Sequence, residues 1–300
     1  MIVAFMTTQV YVHLPMSNNL QPIAGHDFAL PAHTVLCLHG ADAMAFAQAQ
    51  FMNDVGRLTD GQWQWNGWLT PKGRLIALFA LLRLDPETLW LLLLPGTDAA
   101  TLAQALQRYV LRRKVTIAPQ SLPVSARFSA PQDARDATLA QIGDGVIELD
   151  MSGDGGPRRL LIGATGLCDA QAEAAWARAD MTHGLPWLSE AQAGQWTPQQ
   201  LSLQRLNAFS VKKGCYPGQE IVARTHFLGQ SKRGLVLLET DSPIAVGAPV
   251  QAAGETIGQI IATAAPLALA VLPHDAPLAL HSADGHPLQR RALAAGLVRG

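Results

Sequence analysis

Charge is scarce in this chain. Asp, Glu, Lys and Arg together make up 15% of 300 residues, while hydrophobic residues make up 49%. That balance excludes wholesale disorder, and with no glycine or heptad repeat it also excludes collagen-like and coiled-coil chains. Cysteine is scarcer still, with Cys37, Cys168 and Cys215 far apart. Three thiols without a CxxC or Cys/His spacing give no disulfide framework and no four-cysteine cluster site, and reduced thiols in a cytoplasmic protein are the simple expectation. Long apolar runs are missing too: Leu75 to Leu82 stops at Arg83, far short of a bilayer span. Basic residues are absent before Arg57, so the first residues lack a signal peptide's charged start. No membrane partner is expected.

Lysine is the rarest charged residue, and its placement is uneven. Of five lysines, Lys212, Lys213 and Lys232 fall within 21 residues. Between Arg205 and Arg233 stand six basic residues and one acid, Glu220, against a net charge of −1 for the whole chain. Aromatics are few near those cations, Tyr216 and Phe227 among them. A small anionic cofactor accounts for this segment better than direct nucleic-acid binding.

The length predicts two or three packed units. Residues 1–25 read as a loose arm. Strands are expected at Thr34–Leu38, around Trp63 and Trp65, at Leu75–Leu84 and Thr88–Leu94 about an Asp-Pro-Glu turn, and at Val115–Ala118. Between them fall a helix at Asp42–Phe51 capped by Asp42, and one capped by Thr97 that ends in Arg112-Arg113-Lys114. A second strand-and-helix set runs from Val124 to about Met181, closing with an Ala-rich helix from Asp169. This rhythm is α+β, with antiparallel sheets covered by helices. Past residue 230, short strands separated by Gly, Pro and Asp read as a small β-barrel. The divisions expected are 1–25, 26–230 and 231–300.

The stretch from Lys213 to Glu220 holds two glycines and a proline in eight residues, together with a thiol, a phenol, an amide, a carboxylate and an ammonium. It reads as a loop leading into a buried strand at Ile221–Ala223, from which Arg224 emerges. Cations beside Cys215 would favour its thiolate. The alternative is a small residue buried under a glycine turn. Asn53-Asp54 and Lys72-Gly73-Arg74 form a second cluster, readable as a site or as ordinary helix-end and hairpin residues.

The run Lys213-Gly214-Cys215-Tyr216-x-Gly218-Gln219-Glu220-x-x-Ala223-Arg224 resembles the signature of the YgfZ family. These are folate-binding proteins related to the aminomethyltransferase of the glycine cleavage system and implicated in iron–sulfur cluster assembly and repair. Gly40-Ala41-Asp42, Gln50 to Val55, Lys72-Gly73-Arg74, Lys114 to Ile117 and Gly184-Leu185-Pro186 follow in the family's order. Met52, Pro217 and Ser202 depart from its commoner residues.

The resemblance implies two ferredoxin-like α+β units and a C-terminal β-barrel in a ring around a central cavity that holds tetrahydrofolate or a one-carbon derivative. It makes Cys215 the functional thiol. A pterin edge would be read by Asn53, Asp54, Gln219 or Glu220, the tail carboxylates by Lys72, Arg74, Lys213 or Arg224, and stacking would come from Tyr216, Trp65 or Trp68. Iron–sulfur proteins or assembly factors are the implied partners, with cluster-dependent tRNA-modifying enzymes downstream. The aminomethyltransferases carry an acidic residue where Cys215 stands, which argues against glycine-cleavage activity. A folate-dependent aminomethyl- or methyltransferase is the alternative. A thiol enzyme using His183 or His226 as base is a third reading.

Overall fold

A computed structural model describes residues 25–229 and 231–300. The expected N-terminal arm, Gly25 apart, lies outside the described residues.

The chain opens with β1 (Phe28–Ala29) and β2 (Thr34–His39), followed by α1 (Ala43–Gln50). Then come β3 (Gln62–Leu69), β4 (Leu75–Asp85), β5 (Thr88–Leu93), α2 (Ala99–Gln107) and β6 (Thr116–Gln120). Strands β2 to β6 make one antiparallel sheet in the order β3-β4-β5-β2-β6. β7 (Val124–Arg127), β8 (Ala140–Ile142), β9 (Val146–Asp150), β10 (Arg159–Ile162) and α3 (Ala170–Thr182) follow. Their sheet has the order β1-β7-β10-β9-β8, so the first strand of the chain completes the second sheet. The two units are interwoven by that exchange.

β4 explains why its sequence lacks alternation. Leu78, Ala80 and Leu82 enter one core, Ala77, Phe79 and Leu81 another. A strand buried on both faces reads as a continuous apolar run. The outer core joins the first sheet to Phe46, Leu102 and Leu106 of α1 and α2. The inner core joins Trp63, Trp65 and Leu75 to Phe28, Leu160 and Trp176 of the second unit, and to Leu235 and Leu269 of the following barrel. That barrel is closed by β11 (Arg233–Glu239), β12 (Pro249–Ala252), β13 (Glu255–Ala264), β14 (Leu267–Pro273), β15 (Leu280–Ser282) and β16 (Pro287–Arg291), as the short-strand texture predicts.

Three local expectations are corrected. Asp98, not Thr97, caps α2, accepting from the Thr101 N–H at 2.7 Å. That helix ends at Gln107, so Arg112-Arg113-Lys114 lies beyond its dipole. Asp42 precedes α1 but accepts from the Lys114 N–H, tying α1 to the entry of β6. The third correction concerns Ile221–Ala223, which lie in a helix, α4 (Gln219–Phe227). Helix formers flank this β-branched pair, and only Val222 of the nine residues is buried, so the segment lacks the apolar contacts that a core strand needs. Gly218, at φ +81°, starts the helix.

Candidate functional site

A cavity of about 460 Å³ opens where the end of α1, β3 and the segment around Asn207–Lys212 meet. Asn53 holds these three together. Its N–H donates to Asn66 Oδ1 at 2.8 Å, and its side-chain amide donates to the carbonyls of Trp65 (2.9 Å) and Asn207 (2.7 Å). Its Oδ1 accepts from the Asp54 N–H at 2.8 Å. Asp54 is then fixed on the cavity wall by Gln48, whose Nε2 donates to Asp54 Oδ1 at 2.9 Å. The other Asp54 oxygen has no protein donor among the described residues. Arg57 and Lys212 bring exposed cations to the lining, and Leu58, Phe209 and Val211 supply its apolar part.

The motif loop packs behind that wall. Lys213 is buried, and its Nζ donates to the carbonyls of Gln48 (2.7 Å), Phe51 (2.6 Å) and Asn53 (3.1 Å). A helix leaves its last carbonyls unpaired, and this ammonium satisfies that of Gln48 in α1 together with two carbonyls just past the helix end. Burial lowers the Lys213 pKa to about 8, against the upward pull of Asp54. The ammonium lies 4.9 Å from the centroid of the Tyr216 ring. The Tyr216 phenol donates to the Ser210 carbonyl at 3.0 Å, and burial raises its pKa. Gln219 Nε2 donates to the Lys213 carbonyl, closing the loop. Within it Cys215 is exposed, which removes the reading of a small residue buried under a glycine turn.

The turn before β4 docks on the same loop. A side chain at Gly218 would meet Gly73 Cα at 2.6 Å and the Thr70 carbonyl at 2.7 Å, so the two backbones touch because both residues are glycine. Lys72 is exposed beside Gly73. The Arg74 guanidinium donates to the Gln195 carbonyl at 2.6 Å and to Gln200 Oε1 at 3.3 Å. Glu220 and Arg224 stand exposed on α4, one turn apart.

Of the ten residues singled out in the sequence, Asn53 and Asp54 line the cavity. Asn53, Lys213 and Arg74 were expected to meet a ligand, yet their polar atoms are committed to backbone and amide partners. Cys215, Tyr216, Gln219, Glu220 and Arg224 belong to the adjoining loop and helix, and Lys72 to the docked turn. Trp65 and Trp68 are core residues, and Phe209 is the aromatic on the lining. Arg57, Gln64, Asn207, Phe209 and Lys212 were not anticipated as site residues. For Gln64 a signal existed in the alternating amides Gln62, Gln64 and Asn66. The thiol-enzyme reading lacks its base. His183 is buried with Nδ1 against the Ala179 carbonyl, His226 meets Phe227 edge to face, and neither bonds to Cys215 among the described residues.

No protein-family model matches the chain. An uncharacterised protein of Haemophilus influenzae is 27% identical over 237 residues, spanning 74% of this chain and 77% of that protein. The tRNA-modifying protein YgfZ of Klebsiella pneumoniae is 29% identical over 222 residues, 66% of each chain. The tRNA-modifying protein YgfZ of Aliivibrio fischeri is 28% identical over 285 residues, spanning 83% of this chain and 88% of its own. Among solved structures, the glycine cleavage system aminomethyltransferase T of Bartonella henselae superposes with a TM-score of 0.70 over 90% of this chain and 86% of that one, at 16% identity. Motif, relatives and fold converge on one likeness: the chain is similar to the tRNA-modifying YgfZ proteins and has the fold of the aminomethyltransferase.

Proposed function

We propose that the chain binds a reduced folate in the cavity beside Asp54 and supports iron–sulfur cluster assembly or repair through the exposed thiol of Cys215. The observation that carries this reading is the cavity's donor set. Its volume lies within the usual range for small-molecule sites, about 300–1,000 Å³, and it combines a fixed carboxylate, exposed cations and apolar walls. Those groups fit a pteridine with an anionic tail. Asp54 would orient the ring, Phe209 and Leu58 would cover its faces, and Arg57 and Lys212 would hold the tail carboxylates. When bound, tetrahydrofolate supplies a one-carbon carrier and a reduced ring.

Cys215 acts at the surface. Among the described residues no three His, Cys, Asp or Glu side chains form a metal-holding group. An iron or cluster cargo touching Cys215 would take its remaining ligands from a second protein. No helix of the described residues is long and apolar enough to cross a membrane.

The fold shared with an aminomethyltransferase favours a second reading, a folate-dependent aminomethyl- or methyltransferase. Replacement of that family's acidic residue by Cys215 weighs against it. Complementation separates the two. Cys215→Ala is expected to keep the melting temperature and folate affinity of the parent while failing to restore cluster-enzyme activity in a strain lacking the endogenous protein. Full rescue by this variant, or turnover of an aminomethyl donor by the purified protein, would overturn the accessory reading.

A further inference from the structure

Three amides alternate along β3 at Gln62, Gln64 and Asn66, and alternation puts them on one face of the strand. Two are held within the protein through their oxygens, although Asn66 Nδ2, like Gln64 Nε2, is buried without a partner. Gln62 Oε1 accepts from the Thr59 N–H at 3.0 Å, and Asn66 Oδ1 accepts from the N–H groups of Asn53 (2.8 Å) and Gly67 (2.9 Å). Gln64 between them differs. It is 3% exposed, lines the cavity, and its Nε2 is buried without a hydrogen-bond partner. Neither atom of its amide bonds to a described residue. A buried primary amide left unpaired destabilises the free protein, and a ligand that pairs with it would offset that cost.

We infer that Gln64 is the specificity-determining group of this cavity and that it reads the N–H/C=O edge of a planar lactam heterocycle. A primary amide offers one donor and one acceptor side by side, which pair with a lactam edge through two hydrogen bonds. The apolar walls at Leu58, Phe209 and Val211 suit the faces of a flat ring, and Arg57 and Lys212 suit an anionic arm. Pterins and guanine nucleotides share this chemistry. The inference rests on reading the cavity as a ligand site, and it adds the ring-recognising residue.

The test compares the parent with Gln64→Met, which keeps the volume of the side chain and removes both polar atoms. Tetrahydrofolate, guanosine monophosphate and p-aminobenzoylglutamate (a folate's arm without its lactam ring) are titrated against both. The expected result is at least a tenfold loss of affinity for the lactam ligand in Gln64→Met. Affinity for p-aminobenzoylglutamate is expected to hold within twofold, and the free variant to melt at or above the parent's temperature. Binding of guanosine monophosphate but not tetrahydrofolate, lost in the variant, would uphold the role of Gln64 and remove the folate reading. Lactam affinity within twofold of the parent, binding of neither lactam ligand, or a melting temperature several degrees below the parent would overturn the inference.

Discussion

Lys213 shows how a residue can be central to a motif without touching a ligand. Its ammonium replaces the missing hydrogen bonds at and just past the end of α1 and carries the motif loop with it. Lys213→Met orphans three carbonyls at a cost of about 1–3 kcal/mol for each that stays buried. The melting temperature should fall by roughly 5–10 °C. Lys213→Arg should restore little, because a planar fork does not converge on three carbonyls as an ammonium does. Two buried imidazoles give a pH signature. Burial lowers His33 to about 3, and burial followed by the Arg158 charge lowers His183 to about 4. Both folded values lie below the ordinary 6.5, so the stability these groups contribute is complete above pH 6.5. It is lost as pH falls toward 4 and then 3, at up to about 1.4 kcal/mol per pH unit for each. Urea midpoints measured from pH 7 to pH 4 should decline below 6.5. His183→Gln should remove about half of that decline.

At the scale of elements, the contact between the turn before β4 and the start of α4 joins two motifs far apart in sequence. Gly218→Ala adds a methyl group 2.6 Å from Gly73 Cα at a backbone angle that L-residues rarely adopt. The expected result is a loss of about 1–3 kcal/mol and faster alkylation of Cys215 as the loop loosens; unchanged reactivity would separate the glycine contact from the thiol's setting. Strand positions were legible wherever apolar runs met turn residues, as at Asp85-Pro86-Glu87. The helical state of Ile221–Ala223 was not, because three residues carry no period and the deciding fact is that a single one of the nine is buried. Gln64 was missed for a related reason. A glutamine alternating with tryptophan reads as a solvent-facing position until tertiary contacts bury it.

At the scale of the molecule, the class of each region was readable: α+β followed by a closed barrel. The crossing of β1 into the second sheet was not, since pairing across about 97 residues leaves no local trace (Phe28 lies opposite Ala126). The same non-local assembly builds the cavity. Asp54 follows α1, Gln64 sits on β3 and Lys212 opens the motif loop, so the site exists only when these parts close on one another. Tetrahydrofolate binding at Asp54 is the claim on which the functional account turns. It is tested most directly by titrating the protein with tetrahydrofolate under reducing conditions and following tryptophan fluorescence, with Trp63 and Trp65 flanking Gln64 on β3. The account predicts a saturable change, at least tenfold weaker in Asp54→Ala at an unchanged melting temperature. The absence of any saturable response, or equal affinity in Asp54→Ala, would contradict it.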